Sequence, residues 1–170
     1  MATPFCHLDS NGLETNLQLH ALTEANRHWL EVVREVDELP ESRIRERCVF
    51  VVSALGLSLS QLLGQNVPTG KPRVGPPRQL LASFLSGTRL DERDREDLTA
   101  RFDDFLDAYD GIRHFGPPKH EIISKLDIQR TRTFVSLTLE IWNVVLAHFR
   151  RMNDEEFSGF ETIDGLLAYE

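Results

Sequence analysis

Apolar residues recur along this chain at spacings of three and four, the period of an amphipathic helix. No segment shows the two-residue alternation of a strand. The apolar stripes predict helices over about 11–38, 41–65, 80–85, 91–112 and 127–152. The second stripe is the widest, which indicates a central, buried helix. The pattern predicts an all-α fold, an antiparallel up-and-down bundle of four to five main helices.

The chain organisation predicts one helical domain over residues 1–170, because 170 residues is close to the usual size of a single domain. Its core is expected over about 11–152. A loop rich in proline and glycine over 66–77 interrupts the helices, and an acidic tail over 153–170 adds at most one short helix.

The stretch around this loop carries only positive charge. Between Gln65 and Leu90 every charged residue is basic, and the four are Lys71, Arg73, Arg78 and Arg89. Two interpretations remain open: a solvated loop, or a basic flap that guides a polyanion.

Overall charge narrows the possible functions. The formal net charge is -8, which disfavours a broad surface that tracks nucleic acid but allows a small basic pocket for one phosphate.

Two cysteines do not form a disulfide framework, and they favour a reducing compartment. The first ten residues lack the features of a signal peptide, and no run of ~18 uninterrupted apolar residues is present. We therefore expect a cytoplasmic protein without a membrane segment.

Candidate chemistry lies in the turn between the last two long helices. Arg113 follows the stripe that ends at Ile112, so it is expected at the border of the packed face. Asp110 lies three residues earlier and is expected to orient the Arg113 guanidinium. The sequence Gly116-Pro117-Pro118 then reverses the chain, which allows His120 to approach Arg113.

An arginine and a histidine held together can cleave RNA without a metal. Histidine exchanges a proton near neutral pH, because its unperturbed pKa is ~6.5. A guanidinium stabilises the negative charge that develops on the phosphate oxygens. RNA supplies its own nucleophile, the 2′-hydroxyl, and the expected product is a 2′,3′-cyclic phosphate.

This segment resembles the arginine–histidine motif of the HEPN superfamily, helical domains that include many toxin and phage-defence ribonucleases. The motif is an arginine, a polar residue, a few variable residues and a histidine, between the last two long helices of a bundle. Here it comprises Arg113, His114 and His120, with six residues between Arg113 and His120. The resemblance in the order of elements covers about 11–152.

The resemblance implies a metal-independent endoribonuclease, without a cofactor, that acts as a toxin or defence effector. Arg113 and His120 would be the catalytic pair, with His114 and Asp110 in support. It also implies a homodimer whose two pairs face one groove, and it allows an antitoxin or regulatory protein partner. The candidate contacts to RNA phosphates are Lys119, Arg130, Arg132, Lys71 and Arg73.

Other interpretations of the same residues remain open. Arg113 could instead stabilise the carboxyl end of its helix, where cations are favoured. The polar position of the family motif is most often asparagine, and the histidine found here favours an alternative, a non-catalytic dimerisation or partner-binding domain with the same bundle. A third hypothesis is a metalloprotein built on His20, Glu24 and His28, which share one helical face.

Overall fold

The computed structural model describes residues 17–65, 77–113, 121, 124–152 and 157–168, and these form helices without any strand. The all-α prediction is confirmed. The helices of the described residues are α1 (Leu17–Glu35), α2 (Glu41–Gln65), α3 (Pro77–Ser86), α4 (Glu92–Arg113), α5 (Ile128–Met152) and α6 (Ile163–Leu167). The predicted start of the first helix and most of the predicted loop lie outside the described residues.

The centre of the bundle is α2, as its wide apolar stripe predicts. It packs against α1, α3, α4 and α5. Residues 36–40 return the chain from α1, and the Pro40 carbonyl accepts the backbone hydrogen bonds of Arg43 and Ile44 that begin α2. Cys48 is fully buried on this helix, and burial raises the pKa of its thiol. Cys48 therefore acts as a small core residue.

Contacts between helices establish their directions. Cys48 on α2 lies next to Thr131 on α5, and ten residues further along α2 the Ser58 hydroxyl accepts a hydrogen bond from the Trp142 indole at 3.2 Å. Hence α2 and α5 run in parallel. By contrast, α4 runs antiparallel to α5, since Arg101 pairs with Glu140 while the later Asp104 pairs with the earlier Arg130. The long helices therefore alternate in direction, as in an up-and-down bundle.

Local chemistry explains where several helices begin. The Asp91 carboxylate accepts the Asp94 N–H at 2.8 Å before α4, and Asp127 accepts the Arg130 N–H at 2.7 Å before α5. Both are N-caps. The third helix begins at Pro77, earlier than the predicted 80 and inside the predicted loop. Proline is favoured in a first helical turn because its missing N–H is not needed there.

The core extends beyond the predicted limit at residue 152. On α6, Ile163 and Leu166 are buried with the rest of the core. The Asn143 side chain on α5 both donates to the Phe160 carbonyl and accepts from the Phe160 N–H, each at 2.8 Å. Part of the acidic tail is thus an integral part of the bundle.

Of the described helices, α2 is long and apolar enough to cross a membrane by length and composition alone, with a mean hydropathy of 1.5. The central helix of a bundle can have the same composition. Half of the apolar stretch is buried among the surrounding helices. Core packing accounts for the apolar character of that buried half.

Candidate functional site

Arg113 is the last residue of α4, and its side chain is exposed. The guanidinium carbon lies 5.3 Å from the centroid of the Tyr109 ring, one helical turn earlier. This is a cation–π contact. The Arg113 side chain is exposed, and a guanidinium in contact with solvent is suited to binding an oxyanion through its N–H groups.

The Tyr109 ring ends a row of stacked aromatic side chains on α4. It stacks on Phe105 with centroids 6.1 Å apart and planes 9° apart, and Phe105 stacks in the same way on Phe102. Phe134 on α5 meets Phe105 edge to face at 5.3 Å. We call Phe102, Phe105 and Tyr109 the aromatic ladder. Two of its three members are fully buried, so Arg113 rests on a rigid support.

Gly56 of α2 provides the space for the last ring of the ladder. A Cβ atom built at Gly56 would overlap carbon atoms of the Tyr109 ring. The absence of a side chain at this position therefore allows Tyr109 to pack directly against the backbone of α2.

The residue that contacts the Arg113 guanidinium is not the one that the sequence predicts. Asp110 is exposed, and among the described residues no ion pair joins it to Arg113. Two other arginines do form ion pairs with carboxylates between α4 and α5. Arg101 of α4 binds Glu140 at 2.7 Å, and Arg130 of α5 binds Asp104 of α4 at 2.7 Å. The structure thus brings Tyr109, and not Asp110, to the Arg113 guanidinium.

The other members of the proposed motif lie outside the described residues. These are His114, Lys119 and His120, together with Lys71 and Arg73 of the loop. Their roles stay predictions from the sequence. Arg78, from the same basic stretch, is described, and it pairs with Asp103 of α4 at 2.9 Å.

The two arginines early in α5 lie on different sides of that helix. Arg130 contacts Asp104 of α4 and lies over the Phe134 ring at 5.4 Å. Arg132 lies over the Trp29 ring of α1, 6.0 Å from its centroid. Side chains two positions apart on a helix point in directions that differ by about 200°. Arg130 and Arg132 therefore do not line one narrow pocket together.

Histidine and glutamate side chains on α1 form an ion-pair cluster. Arg27 binds Glu24 at 2.7 Å and lies 3.2 Å from the outer ring nitrogen of His28, Nε2. The hydrogen bond from Arg27 lowers the pKa of Glu24. A cation thus occupies the space between these two candidate ligands. Within the described part of the chain, no group of three or more metal-ligating side chains is placed to hold a metal ion.

The apolar stripe over 91–112 includes Tyr109 and indicates only a packing role for it, and no pattern in the sequence singles out Gly56. The available signal for Tyr109 was its spacing of four residues before Arg113, which places an aromatic ring and a cation on adjacent turns. No local signal identifies Gly56, because its role depends on where α4 crosses α2.

Chemically, the described half of the site offers a permanently charged, exposed fork of N–H donors, a group suited to a phosphate or a carboxylate. The chain matches no protein-family model, no curated protein and no solved structure, so its function must be inferred from these residues and their geometry.

Proposed function

We propose that this chain is a HEPN-like, metal-independent endoribonuclease that uses Arg113 and His120. One observation carries the proposal: the exposed Arg113 guanidinium rests on an aromatic ring and no carboxylate pairs with it among the described residues. Arg113 also ends α4, directly before the segment that contains His120. A cation that rests on a ring and has no carboxylate partner among the described residues suits the binding of a phosphate whose negative charge increases in the transition state.

The proposed reaction proceeds by transfer within the RNA. His120 accepts the proton of a ribose 2′-hydroxyl, and the 2′-oxygen forms a bond to the adjacent phosphorus. The bond from phosphorus to the 5′-oxygen breaks, and that oxygen takes a proton from a protonated imidazole. In a homodimer, His120 of the partner subunit supplies this second imidazole. Arg113 binds the non-bridging phosphate oxygens, on which negative charge increases.

A direct test is to incubate the purified chain with single-stranded RNA in the presence of a chelator. We expect cleavage products with a 2′,3′-cyclic phosphate and a 5′-hydroxyl. Replacing His120 with alanine should lower the rate by about 10²–10⁴-fold, the usual contribution of a general acid or base. Cleavage that persists in H120A, or that the chelator abolishes, would show that the mechanism is wrong.

The homodimer in this proposal is supported by an apolar strip on the outer side of α2. Phe50 and Leu57 are seven residues apart and so share one face of the helix, and they are 55% and 38% exposed. Large apolar side chains that share an exposed face are typical of an interaction surface. We expect this face to bind the same face of a second copy.

We predict that Phe50→Glu converts the dimer to a monomer, because a carboxylate buried in an apolar interface is unfavourable. Sedimentation or light scattering measures the mass. The matched control is Leu30→Glu on α1: Leu30 is 49% exposed, and it lies about 200° around the helix from His28, which stacks on Phe50. The control should stay dimeric.

A wild-type chain that is monomeric at all concentrations would contradict the proposed assembly. A dimer that depends on Phe50 but does not cleave RNA would instead favour the alternative function, a non-catalytic dimerisation or partner-binding domain, which the same exposed strip of α2 also supports.

A further inference from the structure

We infer that Tyr109 is a positioning residue for Arg113, and that Gly56 makes this position possible. The consequence for catalysis rests on the proposed ribonuclease function. The positioning itself is a property of the folded chain and can be measured without RNA.

Packing restricts the Tyr109 ring through neighbours on its own helix and on α2. On one side it stacks on Phe105, whose ring is fully buried and is also held by Phe134 of α5. The backbone of α2 at Gly56 also lies against the ring, close enough that no Cβ atom fits between them. The ring therefore has little freedom to turn or shift.

The fixed position of the Tyr109 ring also restricts the Arg113 side chain. An exposed arginine at a helix end otherwise samples many rotamers. Contact with the ring face selects those that place the guanidinium 5.3 Å from the ring centroid. Because the ring is itself fixed relative to α2, the guanidinium is fixed relative to the bundle and not only to its own helix.

Tyr109 contacts Arg113 through the ring, so its hydroxyl is not required for this role. A loss of positioning should lower kcat more than it raises KM, because a misplaced guanidinium still attracts RNA but no longer meets the oxygens of the transition state. Misplacement of a catalytic group by about 1 Å can lower the rate about 10²-fold.

The test compares Tyr109→Phe with Tyr109→Leu. NMR of the 15N-labelled protein follows the Nε–H signal of Arg113, which is assigned by its loss in R113K. Ring currents should displace this signal from the position of a free arginine in the wild type and in Y109F, and the displacement should disappear in Y109L. In the RNA assay, Y109F should retain most of the wild-type kcat and Y109L should lose about ten- to a hundredfold.

Gly56→Ala gives a second, independent test, with Gly64→Ala as the matched control on the same helix. A Cβ atom at Gly56 meets the Tyr109 ring, whereas a Cβ atom at Gly64 meets nothing within 4 Å. G56A should move the Arg113 signal, and G64A should leave it in place. Y109L provides the same information through NMR and kinetics if G56A does not fold.

An Arg113 signal that is the same in the wild type and Y109L would overturn the inference, even if the chain cleaves RNA. Conversely, a signal that changes as expected in a chain without ribonuclease activity would support the positioning role and contradict the proposed function. The two failures are therefore distinguishable.

Discussion

Replacing Arg113 with lysine is expected to lower RNA cleavage about a hundredfold, although the substitution keeps the positive charge. Lysine carries a compact ammonium group in place of a planar fork, so it cannot bind two phosphate oxygens in parallel. It also lacks the delocalised guanidinium whose carbon lies over the Tyr109 ring. Replacement by alanine should cost about 10²–10³-fold, comparable to the loss of one donor that stabilises developing charge.

The appropriate control is Arg93→Lys, because Arg93 is an exposed arginine in the first turn of the same helix. The R93K substitution also replaces a guanidinium by an ammonium group, but at the opposite end of α4. Initial rates should be measured at constant ionic strength, since binding of nucleic acid depends steeply on salt. If R113K cleaves RNA as fast as R93K, the catalytic role of the guanidinium is wrong.

Replacing Phe105 with alanine is expected to lower the free energy of unfolding by about 3–5 kcal/mol, the range for a large side chain in a packed core. Phe105 is fully buried, and its ring contacts Phe102, Tyr109 and Phe134. Its removal leaves a cavity at the junction of α4 and α5. For a chain of this size the melting temperature should fall by roughly 6–20 °C.

The matched control for this substitution is Phe50→Ala, which removes the same side chain from a position that is 55% exposed. Without a cavity, the free energy of unfolding of the monomer should change by less than about 1 kcal/mol. Chemical denaturation at low protein concentration separates this monomer stability from any contribution of a dimer. If F105A and F50A lower the free energy of unfolding by the same amount, the aromatic ladder does not have the stabilising role in the core that we expect.

The sequence predicted several element boundaries to within one residue because these depend on local chemistry, although the first helix ends at Glu35 and not at 38. The helix over 41–65 matches α2 at both ends. The helix predicted over 91–112 begins at Glu92, and Asp91 is its N-cap. The Pro77 start of α3 was missed because proline signals a loop and a first helical turn equally well, and the choice between them depends on the tertiary packing of Leu80 and Leu81, both buried.

The candidate site was less predictable, because its support comes from two helices. The order of charges along α4 placed Asp110 beside Arg113, and in the folded chain the guanidinium instead contacts Tyr109. An exposed ion pair contributes little. A ring that is already fixed by packing offers contact with little further loss of side-chain freedom. That fixation requires Gly56, which is 53 residues away from Tyr109 in the chain.

The sequence alone determined that this protein is helical, where most of its helices lie, and that Arg113 ends one of them, because helical period and capping act over a few neighbouring residues. Only the tertiary structure decided which side chains surround Arg113 and that Arg130 and Arg132 lie on different sides of α5. These outcomes depend on which helix faces meet. That is set by the packing of the whole core, and no local pattern encodes it.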